Sequence, residues 1–382
     1  MKVIHTVASI DEEAAGPSYT VPSMVAALGN LGHQAEVVTL GNSDHRYELG
    51  ARVISCARDR VWPHSLMRLG RSKNMQRYLM ECNADIFHAN GLWMMPTIYP
   101  SEVARATGKP FLLTPRGMLG QDALKFSRAI KQGFWWAYQR GAMETASCIH
   151  ATAESEFEDI RAFGLTQPVA IIPNGIHLPD LVTTSLAAPS SEPFILSLGR
   201  IHPKKALDRL ISGFSIVAPD FPNWQLRIVG PDEGGYADKL KAQIANLGLM
   251  DRVSIEAPVF GSEKLLLMQK AELFVLSTLH ENFAMTVAES LAVKTPVIST
   301  KGAPWAGLET YQCGWWIDHG CDAMATTLRE ALSLPAETRA AMGQRGRQWM
   351  KRDFDWLGIA EKMATVYHWL LNDSEQPKFV WN

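Results

Sequence analysis

The sequence has no C-x-x-C pair, no long apolar run and no marked charge excess, and each absence removes a class of function. Its five cysteines (Cys56, Cys82, Cys148, Cys313, Cys321) are odd in number and scattered, which argues against a disulfide framework or a zinc site and for the cytosol. No stretch approaches the roughly 18 apolar residues that a membrane-spanning helix needs. The N-terminus, MKVIHTVASIDEE, carries one lysine and a short apolar run closed by three acids, a pattern that fits a first β-strand better than a secretion signal. With 37 Lys/Arg against 39 Asp/Glu, the chain lacks the positive charge of a general nucleic-acid binder. The one D-x-D, Asp353-Phe-Asp355, precedes the last amphipathic stretch, where Asp355 suits a helix N-cap. Nothing in the sequence therefore calls for a metal or other cofactor.

What is present suggests two domains, since 382 residues exceed one ordinary core. Short β-branched or apolar runs alternate with longer amphipathic ones: KVIHTVAS, VPSMVAALGNLG and HQAEVVTLG, then DIFHANG, PFLLTPRG and SCIHATAES. This alternation predicts a parallel sheet covered by helices. The Pro/Ser-rich LPDLVTTSLAAPSSEP separates it from a second series, FILSLG, QLRIVGP, RVSIEAP, LFVLST and PVISTKG. The reading is α/β, with two doubly wound Rossmann-like domains facing a central cleft. An N-terminal domain spans 1–175, a linker 176–192 and a second domain 193–360, and a C-terminal helix within 361–382 packs back on the first domain. Ligands of such sheets bind beyond the carboxyl ends of the strands.

Candidate residues sit on loops after strands. SLGRIHPKKALDRL places Arg200 and Lys205 beyond FILSLG, where a guanidinium fork and a point charge suit a diphosphate; the same two residues could instead cap helices or face water. HENFAMTVAES, residues 280–290, follows LFVLST and predicts a helix starting near Met285 or Thr286. Free N–H groups at such a start receive anions without a capping side chain. Glu281 then precedes the helix and Glu289 lies about one turn inside it. Glycosidic hydrolysis needs two carboxylates within about 5 to 9.5 Å, whereas eight helical residues span about 12 Å, so two acceptors on one extended ligand fit better. Glu289 could alternatively support the helix start electrostatically. Arg116, after a strand and before Gly117, suits an acceptor or phosphate contact, or else a surface turn.

The combination of SLGR-x4-K, E-x7-E followed by SLAVKTPVIST, and IIPNGI resembles the retaining family-4 glycosyltransferases of the GT-B fold over nearly the whole chain. That resemblance implies that Arg200 and Lys205 bind a donor diphosphate, that Glu281 meets the donor sugar and that Glu289 holds the ribose hydroxyls. It extends to Gly16 and Pro17 in EEAAGPSYTVPS, similar to the family's glycine-rich loop, to Asn174, and to the N–H groups of Ala284, Met285 and Thr286 on the donor side. His88 stands near the segment where relatives place a catalytic histidine beside the sugar, although a structural histidine explains it equally. Asn90, Trp93 and Arg116 form the acceptor side. Three departures stand out: Ala284 and Ala206 replace common glycines, and His177 a frequent aspartate. Ala284 is expected at negative φ, keeping the helix N–H groups available.

GAPW and QCGWW, residues 302–305 and 312–316, suggest core packing with Trp305 as an exposed exception. ALKFSRAIKQGFWWAYQRG mixes Lys125, Arg128, Lys131 and Arg140 with Phe126, Phe134, Trp135, Trp136 and Tyr138. It suits either an anionic membrane surface or a core helix with a solvated basic side. Between Arg52 and Arg140 there are 14 Lys/Arg and 5 Asp/Glu.

The expected function is metal-independent, retaining transfer of a sugar from a nucleotide-diphosphate donor, a UDP- or GDP-sugar, to a glycan or lipid-linked acceptor. The setting that the resemblance implies is bacterial lipopolysaccharide, O-antigen or exopolysaccharide assembly, in the cytoplasm or on the inner face of its membrane. A nucleotide-sugar epimerase of the same fold, and a non-catalytic sugar-nucleotide-binding protein favoured only by Ala284, remain as alternatives.

Overall fold

The computed structural model describes residues 1–10, 16–41, 50–125, 127–181 and 192–382. Contacts divide the chain into two compact units, Met1–Gly175 with Trp356–Asn382, and Ile176–Asp355. The return to the first unit falls at Trp356, earlier than the expected boundary after residue 360. Residues 182–191 of the expected linker lie outside the described residues.

The first unit is built on an eight-stranded sheet: β1 (Lys2–Val7), β2 (Gln34–Leu40), β3 (Arg52–Cys56), β4 (Ile86–Asn90), β5 (Phe111–Thr114), β6 (Cys148–Ala151), β7 (Val169–Ile171) and β14 (Val380–Trp381). Its order is β14-β7-β6-β5-β4-β1-β2-β3, and every pairing is parallel except that of β14 with β7. Covering helices bury both faces of such a sheet, so the central strands are buried even where they carry polar residues.

On one face Val3, Ile86, Leu112, Cys148 and Ala170 pack under the helix Trp356–Leu370. That helix contributes Trp356, Ile359, Ala360, Met363, Ala364, Val366 and Tyr367, a stripe at helical spacing. Side chains two positions along a strand share a face. Going two residues on from Val3, Ile86, Leu112 and Cys148 therefore reaches His5, His88, Thr114 and His150, all fully buried. The apolar floor thus ends in a polar rim at the carboxyl ends of the strands. Gly175 in IIPNGI has a packing reason, because a Cβ there would lie 2.3 Å from the Trp356 ring.

The second unit holds a parallel six-stranded sheet of β8 (Phe194–Leu198), β9 (Gln225–Val229), β10 (Val253–Glu256), β11 (Leu273–Leu276), β12 (Val297–Thr300) and β13 (Gly314–Ile317). The order is β10-β9-β8-β11-β12-β13. In both units the order reverses once, between β1 and β4 and between β8 and β11. These reversals are the places where open α/β sheets receive ligands.

The aromatic-basic segment is not one continuous helix. It divides into Gln121–Lys125, Arg128–Phe134, a π-helical stretch Trp135–Gln139 and Arg140–Thr145; Phe126 lies outside the described residues.

Candidate active site

At the β8/β11 reversal, Arg200 and Lys205 follow β8 and Glu281 follows β11. Gly199 is at φ 153°, a conformation open to glycine, and a Cβ on it would sit 3.6 Å from Lys205 Nζ. Lys205 ends a short turn, Pro203–Lys205, capped by His202 Nδ1 accepting from Lys204 N at 3.1 Å. Loop 277–281 is stitched to this turn. Ser277 Oγ donates to Lys205 O (2.8 Å), and Leu279 N and Thr278 Oγ1 both donate to Lys204 O (2.9 and 3.2 Å). Lys205 Nζ then lies 2.8 Å from Glu281 Oε1. Burial works to raise the Glu281 pKa, but the charge and hydrogen bond of Lys205, helped by Lys204 and Thr278, hold it below the ordinary carboxylate value. A cavity at this point is lined by Ser197, Gly199, Arg200, Lys205, Leu276 and Ser277.

Arg200 is drawn aside to Glu233, with Nη1 at 2.9 Å from Oε1, and its side chain is 51% exposed. An exposed pair of this kind contributes only about 0–1 kcal/mol, so an incoming phosphate can take the guanidinium over. Glu289 is buried in the helix Met285–Ala292, and its Oε1 meets Lys264 Nζ at 2.6 Å. Its Oε2 has no protein partner among the described residues. Sequence reasoning passed over Lys264.

Ala284 overturns its expectation. It sits at φ 66°, ψ 71°, the left-handed cap of the helix. A non-glycine residue bears a local strain of about 1–2 kcal/mol there, which the surroundings must hold. The holder is Trp305, which is buried rather than exposed: its Nε1 donates to Phe283 O at 2.6 Å and its ring packs on Phe283, Trp349 and Phe354. Close backbone approach helps, since Glu281 N donates to Gly302 O (2.7 Å) and a Cβ on Gly302 would lie 2.4 Å from Thr278 O. The first N–H groups of the helix, on Met285 and Thr286, have no acceptor inside it. Ala206 also takes the left-handed conformation, at φ 48°.

In the first unit Gly16 and Pro17 open the helix Gly16–Asn30 instead of a loop. A Cβ at Gly16 would meet no atom of the described residues within 4 Å. The preceding residues 11–15 lie outside the described residues.

His88 departs from the catalytic role expected for it. Its ring is buried, with Nδ1 2.7 Å from Tyr367 Oη and Nε2 2.6 Å from Thr114 Oγ1, leaving neither nitrogen for a ligand. Trp93, half-buried at φ 67°, donates its backbone N–H to Gln139 Oε1 at 3.0 Å.

Arg116 is neither a simple surface residue nor a free one. Met118 N donates to Pro115 O at 3.2 Å, closing a turn in which Arg116 and Gly117 both have positive φ, 59° and 74°, the I′ arrangement. Buried Glu156, another residue the sequence did not single out, accepts Gly117 N at 2.6 Å and fixes the turn. From it the guanidinium reaches Asn90 Oδ1 and Asn174 Oδ1, each at 2.7 Å. Burial pulls the Arg116 pKa down to about 10, leaving it charged at neutral pH.

Two family models match the chain: the glycosyl transferase 4-like domain at residues 15–175 and glycosyl transferases group 1 at residues 183–349. The chain is a family-4 glycosyltransferase of the GT-B fold. Among curated relatives of this glycosyltransferase, the GDP-mannose:cellobiosyl-diphosphopolyprenol α-mannosyltransferase of Xanthomonas campestris is 22% identical over 75% of this chain and 74% of its own. The mannosylfructose-phosphate synthase of Agrobacterium fabrum is 36% identical over 28% of this chain, a match spanning 25% of that relative's length. Among solved structures, Anabaena Alr3699/HepE, determined in complex with UDP, superposes with a TM-score of 0.74–0.75 at 16% identity, over 96% of this chain and 99% of its own.

Proposed function

We propose that this glycosyltransferase moves a sugar from a nucleotide-diphosphate donor to a glycan or lipid-linked acceptor, with retention and without a metal, in cell-surface polysaccharide synthesis. The observation that carries the reading is the Arg200–Lys205–Glu281 constellation at the β8/β11 reversal. Two cations and the start of the helix Met285–Ala292 converge on one loop cluster, where they can offset the charge of a departing diphosphate. Glu281, locked to Lys205, suits a hydrogen bond to a sugar hydroxyl better than attack as a nucleophile. With no protein nucleophile, the departing diphosphate takes the proton as the acceptor hydroxyl attacks the same face. Glu289 keeps one carboxylate oxygen for ribose hydroxyls. The polyprenol-linked acceptor in the name of the Xanthomonas relative and the UDP held by HepE favour this donor and acceptor class.

Contact with an anionic membrane belongs to the same reading. Ile130, Trp136 and Tyr138 are exposed at 43%, 70% and 41%, and exposed Lys125, Arg128 and Arg140 lie in the same segment. Aromatic and basic groups together favour an anionic interface. Among the described residues, no helix is long and apolar enough to cross a membrane.

The test is thermal stabilisation by UDP, GDP, ADP and their sugar conjugates in EDTA, followed by product analysis with and without acceptor. A ligand at about 100 times its dissociation constant adds about 2.7 kcal/mol. Stabilisation by one nucleotide in chelator, abolished in Arg200→Ala, supports the reading. A requirement for divalent metal removes its metal-independent part. Release of an altered nucleotide sugar without acceptor makes the protein an epimerase instead.

A further inference from the structure

The buried polar rim of the first unit has a single direction, which follows from its last acceptor. His150 Nε2 lies 2.7 Å from Ile172 O, which can only accept, so this nitrogen carries the proton and Nδ1 accepts from Thr114 Oγ1 at 2.9 Å. Thr114 must then accept from His88 Nε2, and His88 Nδ1 must accept from Tyr367 Oη. Tyr367 in turn accepts from His5 Nε2 at 3.0 Å, and His5 Nδ1 faces Asn90 Nδ2 at 3.5 Å. Asn90 Nδ2 also meets Thr6 O and His88 O, both acceptors, so its amide cannot be turned over. Asn90 Oδ1 is thereby fixed toward Arg116 Nη2. Seven donations run head to tail from a guanidinium to a backbone carbonyl, and all three imidazoles are neutral.

At the head of this series stands a cation with incomplete partners. Arginine has five N–H donors. Here Nη1 meets Asn174 Oδ1 and, at 3.5 Å, Thr20 Oγ1, and Nη2 meets Asn90 Oδ1, all neutral oxygens. Nε is buried without an acceptor, and Arg116 makes no ion pair among the described residues. A partly buried charge normally finds a counter-charge; Glu156 acts on Arg116 through space and forms no ion pair with it, its oxygens being taken by Gly117 N and by Thr152 N and Oγ1. A guanidinium held in one orientation matches the planar spacing of phosphate or carboxylate oxygens.

We propose that Arg116 is the oxyanion-binding group of the first unit, taking a phosphate or carboxylate of a substrate, and that Asn90, His5 and Tyr367 are positioning residues that set its direction. The site stands on its own geometry; only the question of which substrate supplies the anion rests on the transferase reading.

The test is an NMR titration of the full chain, labelled with 15N-arginine, with inorganic phosphate at constant ionic strength. The Arg116 Nε–H signal, identified as the one lost in Arg116→Lys, moves saturably with phosphate and not with chloride. In Tyr367→Phe, which keeps the ring and removes only the hydroxyl, the phosphate affinity falls severalfold while the other arginine signals hold their positions. A merely structural Tyr367 leaves that affinity unchanged in the folded variant, which overturns the positioning role. No movement of the Arg116 signal at about 20 mM phosphate, enough to fill a site with a dissociation constant of about 1 mM, overturns the anion site whatever the enzyme's activity. UDP and GDP then separate the sources. Weaker nucleotide binding in Arg116→Lys assigns the anion to the donor diphosphate, and unchanged binding assigns it to the acceptor.

Discussion

The two sheets place their polar groups at the same position, the carboxyl ends of the strands beside the reversal of order, but they treat charge in opposite ways. The second unit uses ion pairs: Arg200 with Glu233, Lys205 with Glu281 and Lys264 with Glu289. The first unit uses neutral groups in series, three imidazoles, a threonine, a phenol and an amide, ending on one cation. Of these pairs only Arg200–Glu233 is exposed and so weak and releasable, whereas Lys205–Glu281 and Lys264–Glu289 are largely buried. A neutral series is costly to break, because each group left unsatisfied in the interior bears its full desolvation penalty. The second unit is thus arranged for response at Arg200 and the first for fixed orientation.

Acid separates the two most strongly. His5 and His150 are pushed from 6.5 down to about 3, chiefly by burial and then by the charge of Arg116, and His88 moves the same way through burial and the neighbouring rings. Below pH 6.5 the unfolded chain takes up protons that the native rings refuse, so the stability of the first unit falls as pH falls toward 3. At pH 5 the loss is about 2 kcal/mol each for His5 and His150. Calorimetry between pH 7 and pH 5 should show the transition of the first unit descending more steeply than that of the second, and parallel shifts would erase the contrast.

Arg200→Ala and Lys205→Ala act on the other side of the comparison. Each should lower kcat/KM by about 10² to 10³, the usual loss for one donor to a developing anion, with little change in melting temperature for Arg200→Ala and a fall for Lys205→Ala, which leaves the mostly buried Glu281 unpaired. A variant that unfolds the second unit instead would make these residues structural. Tyr367→Phe should do the reverse in denaturant, destabilising the first unit by about 1–3 kcal/mol through His5 Nε2 and His88 Nδ1 left without their shared hydroxyl. The smallest effect is a gain. Ala284→Gly should stabilise the second unit by about 1 kcal/mol by relieving a left-handed alanine, and a loss of stability there would mean that the methyl group packs usefully.

Much of this was legible from residue order alone. The strands from KVIHTVAS to PVISTKG follow the expected alternation, and the turn with Arg200 and Lys205 and the helix starting at Met285 lie where strand-loop-helix patterning puts them. Legibility failed where a side chain's role depends on a distant partner. Trp305 looked like an exposed aromatic because nothing local shows that Phe283 O needs a donor. His88 was weighed alone, although His5 and His150 stand at matching points of two other apolar strands, KVIHTV and CIHA. That recurrence was the available signal. Tyr367, 279 residues from His88, carried none. Ala284 misled because steric preference favours negative φ, and the surrounding loop prevails over it.

The first unit begins at Met1, is interrupted after Gly175 and resumes at Trp356. During translation its sheet therefore waits, with the rings of His5 and His88 lacking the hydroxyl they share and β7 an open edge, until the whole intervening unit has left the ribosome. A nascent chain halted before Trp356 would present that unfinished face to chaperones, while the second unit, continuous from Ile176 to Asp355, would already have every strand it needs.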